Sequence, residues 1–193
     1  WETRDGSSTV LVDDGAMVAF HQDTEAFTYL ATKKMYKDFI LELDVKVVGD
    51  LNSGILLRGN SSPSFRDGKL HGYQMEIDQS ERQWTGGIYE EAGRGWLYSL
   101  EGKDDARKAY RASDWNHYRV EAIGEHFRIW VNGVPTLNMA DTKTAEGVIG
   151  IQIHKLPSSG GGGSVSIRNV RIVSDKAGDQ IQGISIPEVA TSL

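Results

Sequence analysis

The chain contains no cysteine. Disulfides, thiolate metal centres and thiol nucleophiles are excluded together, while the redox compartment stays open because exported proteins also do without cysteine. No stretch approaches the ~20 consecutive apolar residues of a membrane-spanning helix. No run of Lys and Arg offers a track for a phosphate backbone either: 21 basic side chains face 27 acidic ones, for a formal net charge of −6. Nucleic acid is therefore not an expected partner. The chain opens at Trp1 without an initiator Met or a signal-like apolar stretch, and the expectation is that its start has been trimmed.

What is present is glycine, 22 residues of it in a chain of 193, with short apolar runs of alternating polarity between them. That pattern predicts many short strands joined by turns, and the length suits one β-sandwich. The longest sample is 38–48, where Phe39, Leu41, Leu43, Val45 and Val47 alternate with Ile40, Glu42, Asp44 and Lys46, as a strand with one buried face requires. Further strands are read at Gly54–Arg58, Tyr73–Gln79, Gly86–Glu90, His117–Ile123, Phe127–Val131, Val148–His154 and Val165–Val173. Gly124-Glu125 and Asn132-Gly133 are two-residue hairpin loops, which makes the neighbouring strands antiparallel. In the last strand the apolar parity shifts from Val165 and Ile167 to Val170 and Ile172, predicting a bulge near Asn169. Lys103–Asp114 reads as a solvated loop rather than a helical turn, and the Gly-rich Ser158–Ser164 as a loop between two strands. The fold class expected is an all-β, two-sheet antiparallel jelly-roll sandwich over 1–173. Residues 174–193 read as a tail or linker with one short strand at Ile184–Ile186.

Parity also locates the polar side chains. In HGYQMEIDQSE, Tyr73, Met75 and Ile77 share one face and Gln74, Glu76 and Asp78 the other. In GVIGIQIH, Ile149, Ile151 and Ile153 oppose Gly150, Gln152 and His154, and the glycine permits close approach of a ligand or backbone. In NSGILLRG, simple alternation puts Arg58 on the same polar surface as Gly54 and Leu56. The plain alternative is a solvent-facing sheet with ordinary polar cross-strand neighbours. Against it stands the aromatic-rich TGGIYEEAGRGW, where Tyr89 and Trp96 beside Glu90 and Glu91 supply the flat faces and hydrogen-bonding groups that sugars need. Trp96 serves equally as a loop anchor. Trp115 and Trp130 read as packing residues, and His71, His117 and His126 as surface or turn histidines.

Taken in order and spacing, YLATKKMYKDFILELDVKV, NSGILLRG, HGYQMEIDQ, TGGIYEE, WNHYRVEAIGEHFRIWVNG, GVIGIQIH and VSIRNVRI resemble the 3-keto-disaccharide hydrolase family over about residues 1–173. The resemblance implies a concanavalin-like jelly roll, a carbohydrate partner, and a periplasmic or secreted location. It also implies cleavage of glycosides oxidised to a ketone at C3: a base removes the acidified C2 proton, the C1 substituent leaves, and water adds. On the residues matching the family's motifs, Glu76 and Asp78 become candidates for base or metal ligand, His154 for acid or base, and Arg58 for holding the ketone or enolate oxygen. Gln74, Tyr89, Glu90, Trp96 and Gln152 become candidate substrate contacts. No cofactor is fixed by the sequence; a divalent metal held by carboxylate and imidazole would serve as electrophile as well as Arg58. Two rival readings stay open. EIDQSE has the spacing of laminarinase-type β-glucanases, with Glu76 as nucleophile and Glu81 as acid/base, although alternation puts Glu81 on the opposite face. A non-catalytic carbohydrate-binding module would use the same groove without chemistry.

Overall fold

A computed structural model describes residues 1–21, 27–155 and 162–191. Its strands are β1 (Glu2–Arg4), β2 (Ser8–Asp13), β3 (Ala16–His21), β4 (Thr28–Ala31), β5 (Phe39–Gly49), β6 (Ser53–Asn60), β7 (His71–Ile77), β8 (Ile88–Glu91), β9 (Gly95–Tyr98), β10 (Asn116–Ile123), β11 (His126–Val131), β12 (Val134–Ala140), β13 (Val148–Ile153), β14 (Gly163–Val173) and β15 (Val189–Ala190). They form two layers. The smaller sheet runs β1-β4-β13-β6-β7-β8-β9 and the larger β15-β12-β11-β10-β5-β14-β3-β2. Every pairing is antiparallel except the short one between β12 and β15, so the chain is the jelly-roll sandwich expected. No helix among the described residues is long and apolar enough to cross a membrane.

Alternation produces the core as read. Phe39, Leu41, Leu43, Val45 and Val47 of β5 are all buried, and they pack in one cluster with Ile55 and Leu57 of β6, Tyr73, Met75 and Ile77 of β7, and Ile149, Ile151 and Ile153 of β13. The opposite face of β5 carries cross-strand ion pairs, Glu42 with Arg119 at 2.8 Å and with Arg171 at 2.7 Å. Both hairpins form: Ile123 pairs with His126 across Gly124 at φ 58, and Val131 with Val134 across Asn132 and Gly133 at φ 50 and 81. The register of β14 against β5 shifts between Arg168 and Arg171, with Asn169 at φ 54, which is the bulge the parity change predicted.

Three local expectations are corrected. Asp104–Arg107 forms one α-helical turn, α1, inside the segment read as a loop. No strand forms at Ile184–Ile186; β15 lies at Val189–Ala190, because Asn138 ties down the Ile186 carbonyl at 2.9 Å before the chain reaches the edge of β12. The residues after Val173 lie along the larger sheet, with the Gln182 amide on Glu121 at 2.7 Å and the Thr191 hydroxyl on Asp141. Of the Gly-rich run, residues 158–161 lie outside the described residues.

The face of the smaller sheet turned away from the core divides in two. Leu56, Leu70 and Val148 form a separate apolar cluster with Tyr29 and Ala31 at one end. Gln74, Glu76 and Gln152 occupy the other, and this end is open. Leu43→Ala is expected to lower stability by ~2–5 kcal/mol in chemical denaturation, whereas Glu42→Ala, on the ion-paired outer face, costs less than ~1 kcal/mol; equal effects would overturn the assigned faces.

Candidate functional site

The open end is a cleft with about 510 Å³ of empty space, lined by Phe27, Asn52, Gln74, Glu76, Arg82, Tyr89, Glu91, Trp96, Gln152 and His154. Its floor is β6 flanked by β7 and β13. Gly54 of β6 stands opposite both Glu76 and Gln152, and the Gln74 side chain lies directly over it. A methyl group on residue 54 would come within 2.7 Å of Gln74 Cγ, so only glycine leaves room for that amide.

A hydrogen-bond chain crosses this floor. Gln152 Nε2 donates to the Tyr29 hydroxyl at 3.3 Å, Tyr29 donates to Gln74 Oε1 at 2.9 Å, and Gln74 Nε2 donates to Glu76 Oε1 at 2.8 Å. Each member is nearly inaccessible to solvent; Gln74 is 1% exposed and Glu76 5%. The polar face is therefore desolvated rather than bathed in water. Burial pushes the Glu76 carboxyl up to about 7, outweighing the hydrogen bonds from Gln74 and Asn52, and the charges of Glu91 and Asp78 push the same way. Glu91, which the sequence offered beside the aromatics as a hydrogen-bonding group and not as a catalytic candidate, is also raised by burial, partly offset by Arg66 and His154. His154 stacks on Phe27 with ring centres 5.1 Å apart.

The aromatic wall comes from β8, β9 and the loop between β7 and β8. Trp84 and Trp96 meet edge to face at 4.8 Å, and Trp96 meets Tyr89 at 5.5 Å. Arg82 lies beside both indoles, its Cζ 4.9 Å from each ring. Asp78 holds this loop: it accepts the Arg82 Nε at 2.8 Å, the Ser80 amide at 3.1 Å and the Trp84 amide at 3.2 Å. Burial alone would raise its carboxyl, but the hydrogen bonds from Arg82 and Ser80 hold it below the usual carboxylate range.

The structure thus gathers Glu76, His154, Gln74, Tyr89, Trp96 and Gln152 in one cleft and leaves four other sequence candidates outside its lining. Asp78 is spent on the loop. Arg58 sits at a bulge, φ 50, where the register slips against both β7 and β13, and the extra residue turns its side chain to the interior. There its guanidinium donates to the carbonyls of Lys37, Gly124 and Thr144 at 2.8, 2.8 and 3.3 Å and packs on Phe127. Glu90 pairs across the strands with Tyr73, so it shares the core-side face and binds Arg94 and Lys143; Glu91, one residue on, faces the cleft. Glu81 is exposed and does not line the cleft. Arg82, Glu91, Asn52 and Phe27 join the site without having been singled out for it. For Glu91 the signal was parity counted from Tyr89; the other three lie in loops, where alternation gives no direction. Among the described residues no three His, Asp or Glu side chains come together as a metal-holding group.

A second cavity, of about 1010 Å³, shares Phe27 and Glu91 with the first and continues past Arg66, Lys69 and Lys155.

The chain belongs to the 3-keto-alpha-glucoside-1,2-lyase-like domain family, whose description matches residues 1–173. A search of curated proteins finds no match. Among solved structures it is similar to a Parabacteroides distasonis protein named as a candidate glycosyl hydrolase, at 20% identity over 86% of this chain and 89% of that one, with a TM-score of 0.59. It is similar as well to the carbohydrate-binding module CBM66 of Bacillus subtilis, at 16% identity over 88% and 94% of the two chains and a TM-score of 0.58. A Bacillus subtilis protein with a galectin-like fold matches at 14% identity over 90% and 89%, with a TM-score of 0.62. At these identities the likeness to the three structures is one of fold.

The raised Glu76 carboxyl carries a stability signature. The folded protein holds a proton up to about pH 7 that the unfolded chain releases near 4.5, so this group's contribution is full below pH 4.5 and is lost as pH rises to 7. Glu76→Gln keeps the shape without the charge. It is expected to match the wild type near pH 4 and to exceed it by up to about 3 kcal/mol near pH 8 in urea denaturation; equal stability at both pH values would mean that Glu76 is not desolvated.

Proposed function

We propose that the cleft cleaves glycosides whose sugar has been oxidised to a ketone at C3, with Glu76 as the base that removes the C2 proton. The carrying observation is Glu76 itself, a carboxyl held by burial at about 7. A carboxylate at its ordinary value is a weak base, and a raised one is matched to a proton acidified by an adjacent ketone. Gln74 donates to Oε1, and the C2 proton goes to the other carboxylate oxygen.

The C–H electrons at C2 pass into an enolate across C2, C3 and the ketone oxygen. The enolate then expels the substituent at C1, breaking the glycosidic C–O bond and leaving a C1=C2 double bond conjugated to the re-formed ketone. The departing oxygen takes a proton from Glu91 or His154, and water adds at C1 to complete a net hydrolysis. Tyr89 and Trp96, whose rings meet edge to face, supply apolar walls against which the ring packs, and Gln152 and Gln74 supply hydroxyl contacts. Glu91 lies where the two cavities meet, which suits a leaving group lodged in the second. The family's lyase-like description supports this reading. Without turnover, the same cleft is that of a carbohydrate-binding module.

Incubation with a 3-keto glycoside and its unoxidised parent tests the proposal. Release of the aglycone from the keto form only is expected, with kcat/KM rising with pH through about 7 as Glu76 loses its proton. Glu76→Gln is expected to lower turnover by roughly 10²–10⁴-fold while the protein stays folded. Tight binding of unoxidised sugar with no cleavage of any keto glycoside would favour the binding module.

A further inference from the structure

Removing the C2 proton places negative charge on the C3 oxygen inside a cleft that already holds Glu76 and Glu91. Glu76 is neutral once it holds that proton and supplies no positive charge, so in a water-poor site the oxyanion is costly unless a donor faces it. The reaction therefore needs a fixed donor of positive charge, and Arg58, whose Nε and Nη1 donate to backbone carbonyls in the interior and whose Nη2 lies 3.5 Å from Asp38, does not line the cleft.

We propose that Arg82 is the electrophile: its two terminal nitrogens grip the C3 ketone oxygen and take up the charge of the enolate. This rests on the reading of the cleft as a 3-keto glycoside site. Arg82 is the one arginine or lysine among the described residues of the cleft lining. Its guanidinium is fixed on one edge by Asp78 at 2.8 Å and bordered by the Trp84 and Trp96 rings at 4.9 Å. Among the described residues neither Nη atom has a hydrogen-bond partner, so the fork is held by its other sides with its donors free. The loop beneath is equally constrained. Thr85 Oγ1 accepts the Asp78 amide at 2.9 Å, Gln83 takes φ 55, and Arg107 Nε holds the Arg82 carbonyl at 3.2 Å. A donor oriented before the substrate arrives requires no reorganisation when charge develops, which is what stabilises a transition state more than a ground state.

The placement also sets the orientation of the ring. Arg82 borders the first cavity only, whereas Phe27 and Glu91 border both. C3 thus lies toward Trp84, C2 over Glu76, and C1 toward the second cavity. The fork discriminates as well: a C3 hydroxyl develops no charge, so an unoxidised sugar gains nothing in rate from Arg82.

The test uses a 3-keto sugar with no leaving group at C1, so that only enolate formation is read, as exchange of the C2 proton in D2O by NMR. Arg82→Ala is expected to slow exchange by roughly 10²–10³-fold, the range for loss of one oxyanion donor, with KM changed far less than kcat on the full substrate. Millimolar guanidinium should restore part of the rate to Arg82→Ala and none to Glu76→Gln. Arg82→Lys should lie between wild type and Arg82→Ala. If Arg82→Ala is folded and exchanges at the wild-type rate while the wild type cleaves keto glycosides, the Arg82 assignment falls and the proposed function stands. If the wild type neither exchanges nor cleaves, both fall.

Discussion

A carboxyl group that is 5% exposed in the middle of a sheet has few ways to persist, and the architecture of the cleft follows from the one taken here. Among the described residues Glu76 is neither paired with a cation nor left bare; it ends a run of neutral hydrogen bonds through Gln74, Tyr89's neighbour across the strand, to Tyr29 and Gln152 on the far side of the floor. That run needs four strands, β4, β13, β6 and β7, in one register and no side chain on β6 between the residues it joins, and Gly54 meets the second condition. Neutral partners satisfy the oxygen while lowering its proton affinity less than an arginine would. Cations are kept apart: Arg82 is tied to Asp78 and Arg94 to Asp141 and Glu90, so the acidic groups those arginines neutralise are the ones that stay charged.

The framework was legible in the sequence wherever strands alternate without interruption. The face of β5, the apolar side of β7 and β13, both hairpins and the Asn169 bulge follow from period two and turn chemistry. Errors in the site cluster where that period breaks. The β14 bulge announced itself because apolar residues lie on both sides of it and change parity. The Arg58 bulge did not, since Arg58 and Gly59 come near the end of the apolar run and leave no parity to compare. Glu90 and Glu91 are adjacent carboxylates on opposite faces, and choosing between them needs the strand's register against Tyr73. The burial of the polar face was illegible for another reason: Gln, Glu and Asp at alternate positions look the same whether they meet water or one another, and only tertiary packing decides.

Loops account for the rest. Arg82 and Trp84 take their direction from Asp78 and from Gln83 at positive φ, interactions with no periodicity to betray them. Jelly rolls of similar shape hold both candidate hydrolases and binding modules among this chain's structural likenesses, and what separates such roles is the set of side chains at the open end of the smaller sheet.

The aromatic wall has an optical consequence. Of five tryptophans in the chain, Trp84 and Trp96 stand together at the cleft beside Arg82. Trp130 is buried in the larger sheet, and Trp115 lies against Arg168 and Lys46 on the outer face of that sheet. A cationic guanidinium beside two indoles tunes their excited states, so any molecule that displaces water there or draws on the arginine alters the emission of that pair while leaving Trp1, Trp115 and Trp130, which do not line the cleft, as a constant background. The cleft carries its own built-in fluorophores, and occupancy is readable without a label.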